Sequence, residues 1–320
     1  MSAVKTARLV YSQHYHVDIG NHVFPTSKYD RIKERLSGTA PYPYSIEFLS
    51  PQPASDADLL LVHRRGYLDK LKNGSLTREE VLTLELPFSR QLVESSVLSC
   101  GGTILASQIA LKDRLGIHIG GGFHHAFPDH GEGFCVLNDI AVAIKRLMSD
   151  GSIRRALVID CDLHQGNGTA AIFARDKSVF TFSIHQENNY PFFKPQSSLD
   201  IGLHDMAGDN EYLKTLHQHI PKIVSDFKPD FMLYVAGADP YRDDQIGGLA
   251  LSKEGLKARD ELVFAQAVNY QVPIAVVLAG GYAHNQDDTV DIHCATILSG
   301  LGAFFRKASS QGAHSAKRLR

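Results

Sequence analysis

The sequence predicts an α/β fold, a single three-layer α/β/α domain with a mostly parallel central sheet. Three observations point there. Short apolar runs rich in Val, Ile and Phe recur along the 320 residues, at 115–120, 154–160, 178–184, 230–237 and 273–280. Longer amphipathic stretches separate them, and alternation of strand with helix implies a layered α/β sheet. Finally, no Pro/Gly/Ser linker, composition break or internal repeat divides the chain, and a hydrophobic share of 43% is enough for a sizeable core.

Each element has its own justification. The five runs are apolar nearly throughout, as strands covered on both faces must be. The helical pattern after the first run starts at Asn138, a good N-cap, and continues through Ile140, Ile144 and Leu147. Further helical patterns cover about 90–112, 210–226, 253–270 and 290–306. The segments 10–60 and 185–208 carry neither periodicity and are expected to be long loops, which in a compact fold usually form walls or lids. Arg31–Leu36 reads as a solvated helix face.

Composition excludes several functions. A formal net charge of −2 leaves no basic field for direct nucleic-acid binding or anionic membranes. The basic end "KRLR" at 317–320, within a tail from about 307 to 320, is expected to be frayed. The N-terminal "MSAVKTARLVYSQ" lacks the apolar run of a signal peptide, and no stretch reaches the roughly 18 apolar residues of a membrane span. Cys100, Cys135, Cys161 and Cys294 are scattered without metal-finger spacing and read as reduced thiols, so a cytoplasmic setting is expected. Oligomeric state is left open.

Ligands bind at the carboxyl ends of strands in open parallel sheets. Those ends are where the polar residues gather. Run 115–120 leads to His124 and His125, and 154–160 to "DCDLH", with Asp160, Asp162 and His164. Run 178–184 ends at Ser183, Ile184 and His185, 230–237 leads to Asp239, and 273–280 to Tyr282. Along an extended chain Asp160, Asp162 and His164 share one face. Buried there, they require partners or a compensating charge. A buried hydrogen-bond network satisfies that need for "DCDLH" alone. With Asp239 and the histidine pair beside it, a divalent metal on Asp162, His164 and Asp239 accounts for more. Two carboxylates and one imidazole leave open positions, the arrangement of a catalytic zinc, and the hard donor set also admits Fe²⁺ or another divalent ion. A serine triad competes poorly because no GxSxG elbow occurs, and the glycines of "GGGFHH" lack GxGxxG spacing.

The motifs "GGGFHHA", "GFCVLND", "VIDCDLHQGNGT", "GADPYRDDQIGGLALS" and "AGGY" resemble the histone deacetylase family of the arginase–deacetylase fold, over about residues 9 to 305. "GGTILAS", "HQGNG" and "RDELVF" are most similar to class IV deacetylases and their bacterial relatives. The resemblance implies zinc on Asp162, His164 and Asp239, with Tyr282 polarising the substrate carbonyl and His124 and His125 as proton-transfer residues. It implies a substrate tunnel walled by Gly133 and Phe134, with Tyr190 facing Phe134 and Ile246 near the mouth. It also implies a monovalent cation, K⁺, on Asp160, Asp162, His164, Ser183 and the backbone of Ile184. Where other members often carry Asp beside the second histidine, this chain has Asn167, which stabilises an imidazolium less. His125 is therefore expected to be the neutral general base, and His124, facing Asp160, the protonated partner. The activity implied is metal-dependent hydrolysis of acyl-lysine amides, acetyl or longer, in proteins or peptides. A small acyl-amine such as an acetylpolyamine is the alternative substrate, and a non-catalytic acyl-lysine binder is a further reading. His14, His16, His22, His63, His118, His185, His284 and His293 have no metal spacing and are expected to be structural or at the rim.

Overall fold

The computed structural model describes residues 6–38 and 44–305; the basic tail about 307–320 lies outside the described residues. In chain order, β1 (Thr6–Val10), α1 (Lys28–Gly38), β2 (Ser45–Leu49), α2 (Asp56–Leu59), α3 (Arg65–Asn73), α4 (Arg78–Leu84) and α5 (Arg90–Asp113) precede the first predicted strand. Then follow β3 (Leu115–His118), α6 (Asp139–Ser149), β4 (Ala156–Asp160), α7 (Asn167–Phe173), β5 (Val179–Gln186) and β6 (Leu199–Leu203). The chain continues with α8 (Asp209–Phe227), β7 (Phe231–Val235), α9 (Lys253–Asn269), β8 (Ile274–Val277) and α10 (Gln286–Phe305).

The strands form one sheet in the order β2-β1-β3-β8-β7-β4-β5-β6, and every pairing is parallel. Alternate side chains of one strand enter two different cores, which makes the fold three-layered. Leu157 and Ile159 of β4 join the core that includes residues of α8, α9 and α10, while Ala156 and Val158 join the core of α6 and α7. The five predicted strands are β3, β8, β7, β4 and β5, which are consecutive in the sheet.

Two expectations need correction. The segment 10–60 is not a loop, since it holds α1, β2 and α2, and 185–208 holds the end of β5 and all of β6. β2 and β6 lie at the sheet's edges and are only partly buried, so the continuous apolar signal is missing. The face at Arg31–Leu36 is not simply solvated either. Ile32 and Leu36 are buried, and Arg31 pairs with Asp287 at 2.8 Å, tying α1 to α10.

Candidate active site

Cα pairing links His118 to Val277, Val277 to Val235, Val235 to Asp160, and Asp160 to Ser183. The carboxyl ends of the central strands therefore lie level, and the loops leaving them share one edge. Each loop is fixed by buried polar groups. Asp139, in the first turn of α6, accepts from the backbone N–H of Gly122 (3.0 Å) and Phe123 (2.8 Å), folding the glycine run ahead of His124 around a carboxylate. Asn138 caps α6 by accepting from Ala141 N (2.9 Å), and its Nδ2 donates to Ala126 O (3.1 Å). His63 braces the same turn, accepting from Asn138 N (3.0 Å) at Nε2 and donating to Phe127 O (3.1 Å) from Nδ1.

β4 stops at Asp160, so strand alternation does not carry through "DCDLH". The loop winds back on itself instead. Asp162 N donates to Asp160 Oδ1 (3.1 Å), and His164 N donates to Asp162 Oδ1 (3.0 Å). Asp160 thereby turns toward His124, while Asp162 and His164 turn toward Asp239. Donor atoms of Asp162, His164 and Asp239 all lie within 4.8 Å of one another, and all three residues are buried. His164 Nδ1 is 3.2 Å from Asp162 Oδ1 and 3.3 Å from Asp239 Oδ2.

This group fits a cation. Asp239 Oδ2 is fully buried and accepts no hydrogen bond, although His164 Nδ1 is close. Burial and then the neighbouring Asp162 push the Asp239 carboxyl above its ordinary range. Two buried carboxylates facing one imidazole call for positive charge, and an ion shared by the three would supply it. Gly280 leaves the room, since a Cβ there would overlap Asp239 Oδ2.

The paired histidines differ in charge. His124 Nδ1 lies 2.8 Å from Asp160 Oδ2, and its Nε2 is 3.0 Å from Nε2 of His125. Burial opposes charge on His124, but Asp160 and Asp162 outweigh it and raise its pKa to about 9. His125 is held well below the ordinary value by burial and then by His124 and His164. Its Nδ1 lies 2.7 Å from Asn167 Oδ1.

Above these residues a cavity of about 180 Å³ is lined by Gly133, Phe134, Tyr190, Ile246 and Tyr282, with His125, His164 and Glu85. The residues that the resemblance assigns to a tunnel are thus brought to one space. The Tyr190 ring meets His125 edge-on at 5.0 Å, and Phe134 meets Tyr282 edge-on at 6.0 Å. Gly133 has φ of +51°, and a Cβ there would stand 2.8 Å from Tyr190, so both its conformation and its neighbours call for glycine. Burial, then Asp239 and Asp162, keep the Tyr282 phenol protonated far above its ordinary range. Ser183 pairs in register with Asp160 on the adjacent strand, and its Oγ lies 2.9 Å from His185 Nδ1. Cys135 and Cys161 lie beside the site, but burial pushes both thiols up, Cys161 to about 12.

Several site residues escaped the sequence reading. Lys28 is buried, donates to Ala279 O (2.6 Å) and faces the Phe24 and Tyr282 rings. A lysine in "PTSKYD" gives no sign of burial. Arg259 is fully buried and its Nη1 donates to Gly237 O (2.6 Å) and Cys161 O (3.2 Å), joining the loops that carry Asp239 and Asp162. Its signal was a charged pair, Arg259–Asp260, inside a helical pattern. Glu132 precedes "GFCVLND" directly and was passed over.

A buried Asp–His–Asp group that could hold a metal ion thus lies with paired histidines at the carboxyl edge of a parallel α/β sheet. The comparisons give its family. The model of the histone deacetylase domain matches residues 22–297. An uncharacterized protein of Picosynechococcus is 42% identical over 76% of this chain and 81% of its own. Histone deacetylase 2 of Arabidopsis thaliana is 32% identical over 86% of this chain and 74% of its own. A probable deacetylase of Methanothermobacter thermautotrophicus is 29% identical over 86% of this chain and 85% of its own. The crystal structure of the HDA15 HD domain superposes with a TM-score of 0.74 at 21% identity, covering 93% of this chain and 94% of that one, a likeness of fold. The chain belongs to the histone deacetylase family, and the family makes it a hydrolase acting on amides.

Proposed function

We propose that this protein is a divalent-metal-dependent deacylase that removes acetyl or longer acyl groups from lysine side-chain amines of peptides or proteins. The observation that carries this reading is the orphaned Oδ2 of Asp239, converging with Asp162 and His164 below an aromatic-lined cavity. Asp162, His164 and Asp239 would hold Zn²⁺, or Fe²⁺ or another divalent ion, given two hard donors and one imidazole. When bound, the ion supplies Lewis-acid polarisation of the amide carbonyl and makes hydroxide accessible near neutral pH.

The chain's own residues do the rest. Tyr282, a phenol that stays protonated, donates to the carbonyl oxygen as negative charge develops there. His125, neutral and with Nδ1 engaged by Asn167, takes the water proton at Nε2 as oxygen attacks the carbonyl carbon. His124, held as imidazolium against Asp160, balances the charge and is placed to protonate the departing amine. The C–N bond breaks, releasing a carboxylic acid and a free amine. Phe134, Tyr190 and Ile246 offer apolar walls suited to a methylene chain. Asp160, Asp162, His164, Ser183 and the Ile184 backbone are assigned to a structural K⁺. A single catalytic domain over 1–320, acting in the cytoplasm, belongs to the same reading.

A second reading rests on Glu85, whose carboxyl lines the cavity and would attract a cationic acetylpolyamine. The test is a hydrolysis panel of lysine peptides from acetyl to myristoyl, with acetylpolyamines alongside. Release of acid from the lysine series is expected. Turnover confined to polyamines would favour the second reading, and binding without release would indicate a non-catalytic reader.

A further inference from the structure

Asn167 can hold His125 in either of two ways. Its amide presents an acceptor, Oδ1, or a donor, Nδ2, and the choice dictates which nitrogen of a neutral His125 carries the proton. With Oδ1 facing Nδ1, the proton sits on Nδ1 and Nε2 carries the lone pair, turned toward His124 Nε2 at 3.0 Å. With the amide turned over, Nδ1 becomes the acceptor and Nε2 holds the proton, leaving no base. Nothing in an asparagine by itself makes this choice, whereas an ionised aspartate would only accept.

Three neighbours bear on it: the Glu132 carboxylate, the Gly168 backbone N–H and the His124 Nε2 that faces His125 Nε2 at 3.0 Å. Glu132 is half-buried, and its Oε1 lies 2.7 Å from Asn167 Nδ2 and 2.6 Å from the Tyr190 hydroxyl. A carboxylate accepts only, so Nδ2 must face Glu132 and Oδ1 must face His125, at 2.7 Å from Nδ1. The backbone N–H of Gly168 donates to the same Oδ1 at 3.0 Å, agreeing with that orientation. Burial opposes charge on Glu132, but hydrogen bonds from His130, Tyr190 and Asn167 outweigh it and keep the group ionised.

We infer that Glu132 is a positioning residue: acting through Asn167, it helps fix the tautomer of His125 with Nε2 unprotonated, and through Tyr190 it sets one wall of the cavity. The role in catalysis rests on the deacylase reading above; the tautomer assignment does not.

The two connections separate experimentally. Glu132→Ala removes the one side chain that accepts from the amide, and should lower kcat by about 10- to 100-fold, a fraction of the roughly 10²- to 10⁴-fold that general acid–base catalysis contributes in full, with metal content unchanged. Asn167→Asp alone faces Glu132 with a second carboxylate and should also be impaired. The double variant Glu132→Ala/Asn167→Asp removes that repulsion and restores an accept-only partner, so kcat should return to within about 3-fold of wild type, while any effect through Tyr190 stays visible in KM. Glu132→Gln, which keeps an acceptor, should retain most of kcat. The ¹⁵N signals of the His125 ring give a readout independent of turnover, with Nδ1 protonated in the wild type and the double variant, and Nε2 protonated in a substantial share of Glu132→Ala. A double variant no faster than Glu132→Ala, or a Glu132→Ala protein whose His125 remains wholly Nδ1-protonated, overturns the proposal. Absence of turnover in the wild type on every acyl-amine would instead overturn the deacylase reading, with the nitrogen signals still deciding the tautomer.

Discussion

At the scale of single residues, Tyr282 shows how position decides chemistry. Its phenol is buried, and burial, Asp239 and Asp162 all resist its ionisation, so in the proposed reaction it acts only as a donor. Tyr282→Phe deletes the hydroxyl and leaves the ring that packs against Phe134 and Phe24. Loss of such an oxyanion donor costs about 10²- to 10³-fold in kcat, and metal content should not change; full turnover by the variant would remove Tyr282 from the mechanism. Residues of this kind were legible because they sit just past apolar runs, where polar groups have no structural reason to gather. Glu132 and Lys28 were not, because their meaning depends on partners 35 to 251 positions away, Asn167 and Ala279. No local pattern encodes such a partner.

At the scale of elements, the start of α6 joins a helix cap to the histidine turn. His63 accepts from Asn138 N at Nε2, which requires a neutral ring, and burial lowers its pKa from 6.5 to about 4. The folded state therefore binds fewer protons than the unfolded state between pH 6.5 and 4. This stabilisation is fully present above pH 6.5 and is lost as pH falls toward 4, in total roughly 3 kcal/mol. Thermal melts from pH 7 to 4 should show Tm falling through this window, and His63→Gln should flatten the slope. An unchanged slope in that variant would show that His63 is not the titrating strut. The elements themselves were read unevenly. β3, β4, β5, β7 and β8 are buried on both faces and appear in the sequence as unbroken apolar runs. β2 and β6 alternate incompletely at the edges, and α1 buries Tyr29, Ile32 and Leu36 at helical spacing and pairs with α10 through Arg31.

At the scale of the whole molecule, parallel pairing sends every carboxyl end to one edge, and register sets those ends level. Five separate stretches of chain thereby converge on one pocket, which explains why the site was visible in the sequence before the sheet order was. The order itself depends on crossovers that no local pattern records. What the convergence builds is a buried group of two carboxylates and an imidazole, with one oxygen unpartnered. The central claim is that a divalent ion completes that group and that amide hydrolysis depends on it. The most direct test is hydrolysis of an acyl-lysine peptide by protein stripped with a chelator and titrated with Zn²⁺. Turnover should vanish on stripping and return as a single equivalent is added; a stripped protein that hydrolyses the peptide at its original rate would contradict the account.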